Sequence, residues 1–223
     1  MLSPLHEEFF ARPTLLVARE LLGARLCHRL PGGELRAGRI IEVEAYLGPE
    51  DKASHAKLQR RGGVLLPTPR SAVMFGPAGR AYVYLIYGLH TCFNVVAHPP
   101  GEVGAILIRA LAPEEPLPPK SCRGPARLCA ALAIDRRYNG CTLWAPPAAE
   151  VLPATALAPA APSAGAPADL LDPHDRLWLT PGAPFTDAEV ACGPRIGVEY
   201  AQADALLPYR LAVRGHPHLS RPI

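Results

Sequence analysis

The chain has 223 residues, 49% of them hydrophobic, which is enough for one domain with a real core. Its formal charge of +3 is too small to argue by itself for a polyanionic partner, and no apolar run is long enough to span a bilayer. The cysteines Cys27, Cys92, Cys122, Cys129, Cys141 and Cys192 form no Cys-x-x-Cys pair and no zinc-like spacing with histidine, so they read as reduced, mostly buried small hydrophobes.

In chain order, Met1-Leu2-Ser3-Pro4-Leu5-His6-Glu7-Glu8 lacks the basic and apolar regions of a secretory leader, so the protein is expected to stay where it is made. Pro13 to Gly23 predicts a short core helix, with proline at its start, helical apolar spacing and a glycine stop. Leu26 to Leu30 and Leu35 to Leu47 read as strands joined by Pro31-Gly32-Gly33. In the second strand a period of two sets Ile41, Val43 and Ala45 on one face and Glu42, Glu44 and Tyr46 on the other. Followed by Gly48-Pro49, the polar face reads as the wall of a cleft. From Lys52 to Arg80 the chain carries Lys52, Lys57, Arg60, Arg61, Arg70 and Arg80 without one Asp or Glu. Such a patch suits phosphates, although a solvated basic loop is the other reading of a charge cluster taken alone.

Ala81 to Val96 is two alternating runs around Tyr87-Gly88, a hairpin whose glycine can take positive φ. Tyr82 and Tyr84 share one face of the first run; His90, Cys92 and Asn94 share one face of the second. Ala105 to Leu111 is a further strand, and Gly124-Pro125 opens a helix with Leu128, Cys129, Leu132 and Ala133 as its buried stripe. Ala145 to Ala168 is mainly alanine and proline and reads as a flexible surface insertion at 145–168 within a single domain spanning 1–223. Late strands are expected at Leu177-Trp178-Leu179, Arg195-Ile196-Gly197-Val198 and Tyr209-Arg210-Leu211-Ala212-Val213. The order of elements predicts an α+β fold, with a curved, mostly antiparallel sheet, flanking helices and a protruding β-hairpin.

Read for chemistry, Glu44 among Tyr46, Tyr84 and His55 is a carboxylate placed to take a proton from water, with an exposed strand carboxylate or an ion pair to Arg109 as the plain alternative. Glu42 shares its face and reads as structural. Tyr46, His55 and Tyr84 can form an aromatic box for an unstacked base, each being otherwise an ordinary core aromatic or, for His55, a loop cap. Tyr87 fits a groove wedge or a turn tyrosine lying on its own sheet. Asn94 reads as a buried amide with specific partners, and Arg109, inside an apolar strand, must be paired. His55, His90 and His98 lack metal-site spacing, so no metal and no cofactor is expected.

These residues carry a resemblance. Glu44-Ala45-Tyr46-Leu47-Gly48-Pro49-Glu50-Asp51, His55, Thr68-Pro69-Arg70, Met74-Phe75, Tyr82-Val83-Tyr84-Leu85-Ile86-Tyr87-Gly88, Asn94, Leu107-Ile108-Arg109-Ala110-Leu111 and Gly124-Pro125 resemble, in order, the alkyladenine (3-methyladenine) DNA glycosylases. The resemblance implies that Glu44 activates the water that displaces a damaged purine from C1′, with Arg109 near Glu44 and the target nucleotide. It implies further that Tyr46, His55 and Tyr84 hold the everted base, that Asn94 disfavours normal guanine, and that Tyr87 fills the gap in the duplex. Arg70, Arg60, Arg61 and Lys57 are then the candidate DNA contacts. No lysine occupies the matching motifs to form a Schiff base, so hydrolysis that stops at an abasic site is expected. The stretch from Ala56 to Pro67 is longer than the family's linker and lies beside the expected pocket, and Tyr209-Arg210-Leu211 matches less closely.

The resemblance therefore implies a base-excision repair enzyme acting on 3-methyladenine, 7-methylguanine, hypoxanthine or ethenoadenine in double-stranded DNA. It would work as a monomer away from membranes, in the cytoplasm on the nucleoid if bacterial and in the nucleus if eukaryotic. Two other readings compete. One is a nucleoside or glycoside hydrolase using Glu42 and Glu44 as its carboxylate pair; the other is a noncatalytic binder of bent or damaged nucleic acid.

Overall fold

The computed structural model describes residues 4–61, 64–144 and 176–223, apart from the side chains of residues 60, 61, 64 and 65; the Ala/Pro-rich insertion expected at 145–168 lies outside the described residues. The elements follow as α1 (Glu7–Phe10), α2 (Thr14–Leu21), β1 (Arg25–Arg29), β2 (Leu35–Tyr46), β3 (Leu58–Arg61), β4 (Val64–Pro67), β5 (Ala81–Ile86), β6 (His90–Val96), β7 (Ala105–Pro113), α3 (Pro125–Ala131), β8 (Arg176–Thr180), β9 (Val190–Gly193) and β10 (Arg210–Val213). An open sheet runs β5-β6-β7-β2-β1-β8, with β10 joined to β2 and β9 to β10. Every strand pair is antiparallel, and the fold is α+β as expected. No described helix is long and apolar enough to cross a membrane.

Strand β2 positions the site because its 12 residues serve three neighbours. One edge pairs with β7 from Gly38 to Tyr46. The other pairs first with β1, through Leu35 to Arg39, and then with β10, through Glu42 to Glu44. The acidic end of β2 is therefore flanked on both sides by strands that bring arginines, Arg109 from β7 and Arg210 from β10.

The strict alternation expected along β2 is broken once. The register shifts on either side of Glu42, leaving Ile41 of β2 and Arg109 of β7 outside the ladder. In consequence Ile40, Val43 and Ala45 enter the main core, while Ile41 joins a second cluster with Ala110, Ala212, Val213 and Leu219. The hairpin keeps its alternation. Ala81, Val83, Phe93 and Val95 face the main core, and Tyr82 packs with Met74, Ala56, Val96 and Ala105 on the opposite side.

Helix α2 buries Val17, Ala18 and Leu21 and packs on β2 and β7. Its stop is Gly23, at φ +98°, whose N–H donates to the Ile40 carbonyl at 2.9 Å. This point also needs glycine for space. A Cβ on Gly23 would meet the Ala183 oxygen at 2.2 Å, and one on Gly182 would meet the Gly23 oxygen at 1.9 Å.

Three expectations need correction. Helix α3 ends at Ala131, so Leu132 is buried beyond it, and Ala133, at φ +55°, is half-buried, its place taken by buried Ile134. The expected strand over 195–198 is a loop; the strand of that region is β9, which ends five residues earlier, and Arg195 of the loop is held by Asp51 instead of a sheet partner. The long stretch 56–67 is not a plain linker, since β3 and β4 pair there as a separate two-stranded ribbon from Leu58↔Pro67 to Arg61↔Val64.

Gly23→Ala is expected to lower stability by about 2 kcal/mol or more, combining a left-handed φ with overpacking against residue 183. Urea unfolding measures it, and a midpoint equal to that of the unsubstituted protein would contradict the close approach.

Candidate active site

The acidic end of β2 is a buried ionic cluster. Glu42 and Glu44 are both 0% exposed. Glu42 Oε1 accepts from Arg109 Nε at 3.1 Å, Arg210 Nε at 2.9 Å and the Ser220 hydroxyl at 2.6 Å, and its Oε2 accepts from the Ser220 N–H at 2.6 Å. Four donors occupy this carboxylate, so it serves as a charge partner and not as an acid or base, which removes the carboxylate pair that a glycosidase-like reading requires.

Glu44 is held differently. Its Oε2 accepts from the Tyr46 hydroxyl at 2.8 Å and from Arg109 Nη1 at 3.2 Å, and among the described residues its Oε1 accepts only from the Ile196 N–H, at 2.7 Å. Oε1 keeps a second lone pair for one more donor. Burial disfavours the charged guanidinium of Arg109, but Glu44 and Glu42 outweigh it and hold Arg109 charged. Burial, then the charge of Glu44, pushes the Tyr46 phenol well above its ordinary range, so Tyr46 stays a donor.

Next to the residues that hold Glu44 lies a cavity of about 440 Å³ whose walls include Tyr46, His55, Tyr84, Asn94, Arg109 and Ile196. It falls in the size range of small-ligand pockets. His55 and Tyr84 meet edge to face with centroids 4.8 Å apart, and the Arg70 guanidinium lies 4.6 Å from the Tyr84 ring centre. Burial, then the positive charges of Arg70 and Lys57, lowers His55 to about 4. His55 Nδ1 is hydrogen bonded to the Tyr82 hydroxyl at 3.0 Å, and the Asn94 amide donates to the Tyr82 carbonyl at 3.0 Å across the paired strands. Tyr82 thus orients two candidate site residues, a role that its alternation with Tyr84 could have signalled.

At the cavity rim the hairpin ends in Tyr87, 90% exposed, near Leu89, 80% exposed. Tyr87 at φ +52° and Gly88 at φ +70° form the turn closed by Leu89 N–H on the Ile86 carbonyl at 3.1 Å. A bulky aromatic in the left-handed region and in water has no packing reason to be there. The reading of Tyr87 as a turn tyrosine lying on its own sheet is therefore excluded by its exposure.

The remaining candidates divide. Arg70 stands at the cavity beside Tyr84. Lys57 is exposed, but its Nζ donates to the Asp51 carbonyl at 3.2 Å and the Pro49 carbonyl at 3.4 Å, so its charge braces the 49–51 turn. Arg60 and Arg61 lie in β3, away from the main sheet's hydrogen-bond ladder.

Sequence reasoning missed Arg195, fully buried at its side chain, which makes a two-pronged pair with Asp51 at 2.6 and 2.9 Å. It also donates to the Ala45 carbonyl at 3.0 Å, and its guanidinium lies 4.8 Å from the Tyr46 ring centre and 5.2 Å from that of Tyr209. Arg195 thereby fixes both the Tyr46 ring and the loop that offers the Ile196 N–H to Glu44. Tyr200, 66% exposed at the cavity mouth, and Ser220 were likewise missed.

The low value of His55 has a pH consequence. Between 6.5 and about 4 the unfolded chain carries the imidazole proton that the folded chain refuses, so His55 costs stability as pH falls through that window. In an NMR pH titration the His55 ring is expected to stay neutral down to about pH 5; a midpoint near the ordinary 6.5 would mean that its cavity wall is not dry.

Comparison with known proteins shows the family. The model of the methylpurine-DNA glycosylase (MPG) family matches residues 8–217. A Myxococcus xanthus protein named "Putative 3-methyladenine DNA glycosylase" is 45% identical over 218 residues, covering 97% of this chain and 93% of its own length. Proteins of the same name from Anaeromyxobacter dehalogenans and Methanocella arvoryzae are 46% and 38% identical, covering 98% and 97% of this chain and 86% and 96% of their own. A match along almost the whole chain leaves one conclusion: this chain belongs to the methylpurine-DNA glycosylase family.

Proposed function

We propose that this protein is a base-excision repair glycosylase that binds double-stranded DNA, everts an alkylated or deaminated purine and hydrolyses its N-glycosidic bond. One observation carries the reading: a hairpin tip with a water-exposed, left-handed Tyr87 beside an aromatic cavity whose wall residues Tyr46, Arg109 and Ile196 hold the buried carboxylate of Glu44. Extruding a base leaves a gap in the stack that a wedge must fill and demands a pocket with π faces for the base. Tyr46, His55 and Tyr84 supply those faces.

In this reading Glu44 Oε1, with its spare lone pair, takes a proton from the water that attacks C1′, and Arg109 steadies Glu44 and the sugar side of the nucleotide. The C1′–N bond breaks as the new C1′–O bond forms, and the purine leaves with the bonding pair. A cationic lesion such as 3-methyladenine or 7-methylguanine already carries the positive charge that this departure neutralises. Hypoxanthine and ethenoadenine are neutral and gain from protonation; His55, held neutral, serves there as a hydrogen-bond partner and not as the proton source. Asn94, fixed on Tyr82, faces the cavity where a purine edge would lie. No step uses a lysine adduct, so the product is an abasic site, and one copy of the chain holds all the groups required. The site of action is wherever the genome lies, the cytoplasm in a bacterium.

Single-turnover excision from duplex oligonucleotides carrying one hypoxanthine, ethenoadenine or 7-methylguanine, in EDTA, tests the reading. The unsubstituted protein should release the base, and Glu44→Gln should slow release by about 100-fold or more while keeping duplex binding. Absence of release from both proteins with binding retained would favour the noncatalytic reading instead.

A further inference from the structure

The segment Leu219–Pro222 reaches the back of the acidic cluster from the far side of β10. Arg210 donates through its Nη2 to the Arg221 carbonyl and through Nη1 to the Pro222 carbonyl at 3.2 Å, and Arg123 Nε donates to the Leu219 carbonyl at 3.2 Å. Leu219 itself is 5% exposed and packs with Ile41, Ala110, Ala212 and Val213. Two arginines and an apolar anchor thus hold a short stretch of chain whose outer residues have little else to pack on.

What the segment delivers is Ser220. Its N–H and its hydroxyl both donate to Glu42, each at 2.6 Å, while the same hydroxyl oxygen accepts from Arg109 Nη2 at 3.4 Å. The three nitrogens of Arg109 are then held one by each of three residues: Nε by Glu42, Nη1 by Glu44 and Nη2 by Ser220. A guanidinium is a rigid plane, so three anchors fix its tilt as well as its place. Arg109 needs this because it sits at a register break of β7, where the ladder does not hold its backbone as it holds its neighbours. Ser220 also lies outside residues 8–217, the span over which the family model matches.

We infer that Ser220 is a positioning residue for the reaction: it sets the guanidinium plane of Arg109, and through Arg109 the orientation of Glu44 toward the cavity. The inference rests on the reading of Glu44 and Arg109 given under Proposed function. Ser220 is absent from the cavity wall and reaches it only through Arg109. Its effect therefore falls on the bond-breaking step and not on recognition of DNA. Loss of one hydrogen bond of this kind corresponds to about tenfold in a rate that depends on the resulting geometry.

The test compares the unsubstituted protein with Ser220→Ala and Ser220→Thr, using one 7-methylguanine or hypoxanthine duplex with enzyme in excess. Three quantities are read for each: the single-turnover release rate at saturation, the affinity for the same duplex, and the thermal unfolding midpoint. Ser220→Ala is expected to slow release about tenfold with duplex affinity unchanged within about twofold, and Ser220→Thr, which keeps the hydroxyl, to restore the rate. An unchanged rate in Ser220→Ala overturns the inference. So does a slowing that is matched by loss of folded protein or of duplex affinity, or one that Ser220→Thr fails to rescue, because a merely structural contact would behave in that way. Failure of the unsubstituted protein to release base from either duplex is a different result: it sinks the glycosylase reading, and this inference falls with it.

Discussion

The buried pairing of Glu42 and Glu44 with Arg109 is the interaction on which the rest of the site depends. Removing two carboxylates from water costs several kcal/mol each unless charge and hydrogen bonds replace the lost solvent. Here the replacement is complete on Glu42, with four donors, and one acceptor position short of complete on Glu44. That difference divides the labour between two carboxylates two residues apart. One neutralises the arginines and sets their positions, and the other keeps a spare lone pair, the one that the proposed reaction uses.

The sheet is arranged to make the pairing possible. Strand β2 is long enough to carry β1 at one end and β10 at the other, and β7 runs along its opposite edge from Gly38 to Tyr46. The register break that frees Arg109 from the ladder also turns Ile41 away from the main core, so the bend at this point serves packing and charge together. The Arg195–Asp51 pair does the same for the facing wall, tying the loop after β9 to the turn after β2 and trapping Tyr46 under a guanidinium. Both walls of the cavity are thus built on ion pairs that would be strongly destabilised, by about 3–5 kcal/mol, if one partner were removed.

The hairpin follows the opposite logic. Its strands are buried and regular, yet its tip holds two large apolar side chains in water and a tyrosine in a backbone conformation that disfavours it. Folding alone gives no return for either cost. A duplex partner would, by covering the exposed rings. The basic run that accompanies the hairpin is less available than its composition suggests. Lys52 donates to Gln202, Lys57 to backbone carbonyls and Arg80 to the Gly140 carbonyl, so several of these cations brace the scaffold.

The amino-acid sequence by itself determined the elements whose signal is local: the β2 alternation through Glu42, Glu44 and Tyr46, the hairpin turning at Tyr87-Gly88, the glycine stop of α2, and with them the family and the line of residues from Glu44 to Asn94. These were legible because a period of two or a demanded positive φ leaves its mark within a few residues. Only the tertiary structure decided what each candidate contacts. Lys57 stays exposed while bonding backbone carbonyls, Glu42 is saturated, the expected strand over 195–198 is a loop, and β3 and β4 form a ribbon within 56–67. Arg195 and Ser220 could not be found locally at all, since 144 residues separate Arg195 from Asp51 and 178 separate Ser220 from Glu42. A charge buried by folding takes whichever partner the sheet brings within reach, and that choice is made by strand order, which no local pattern encodes.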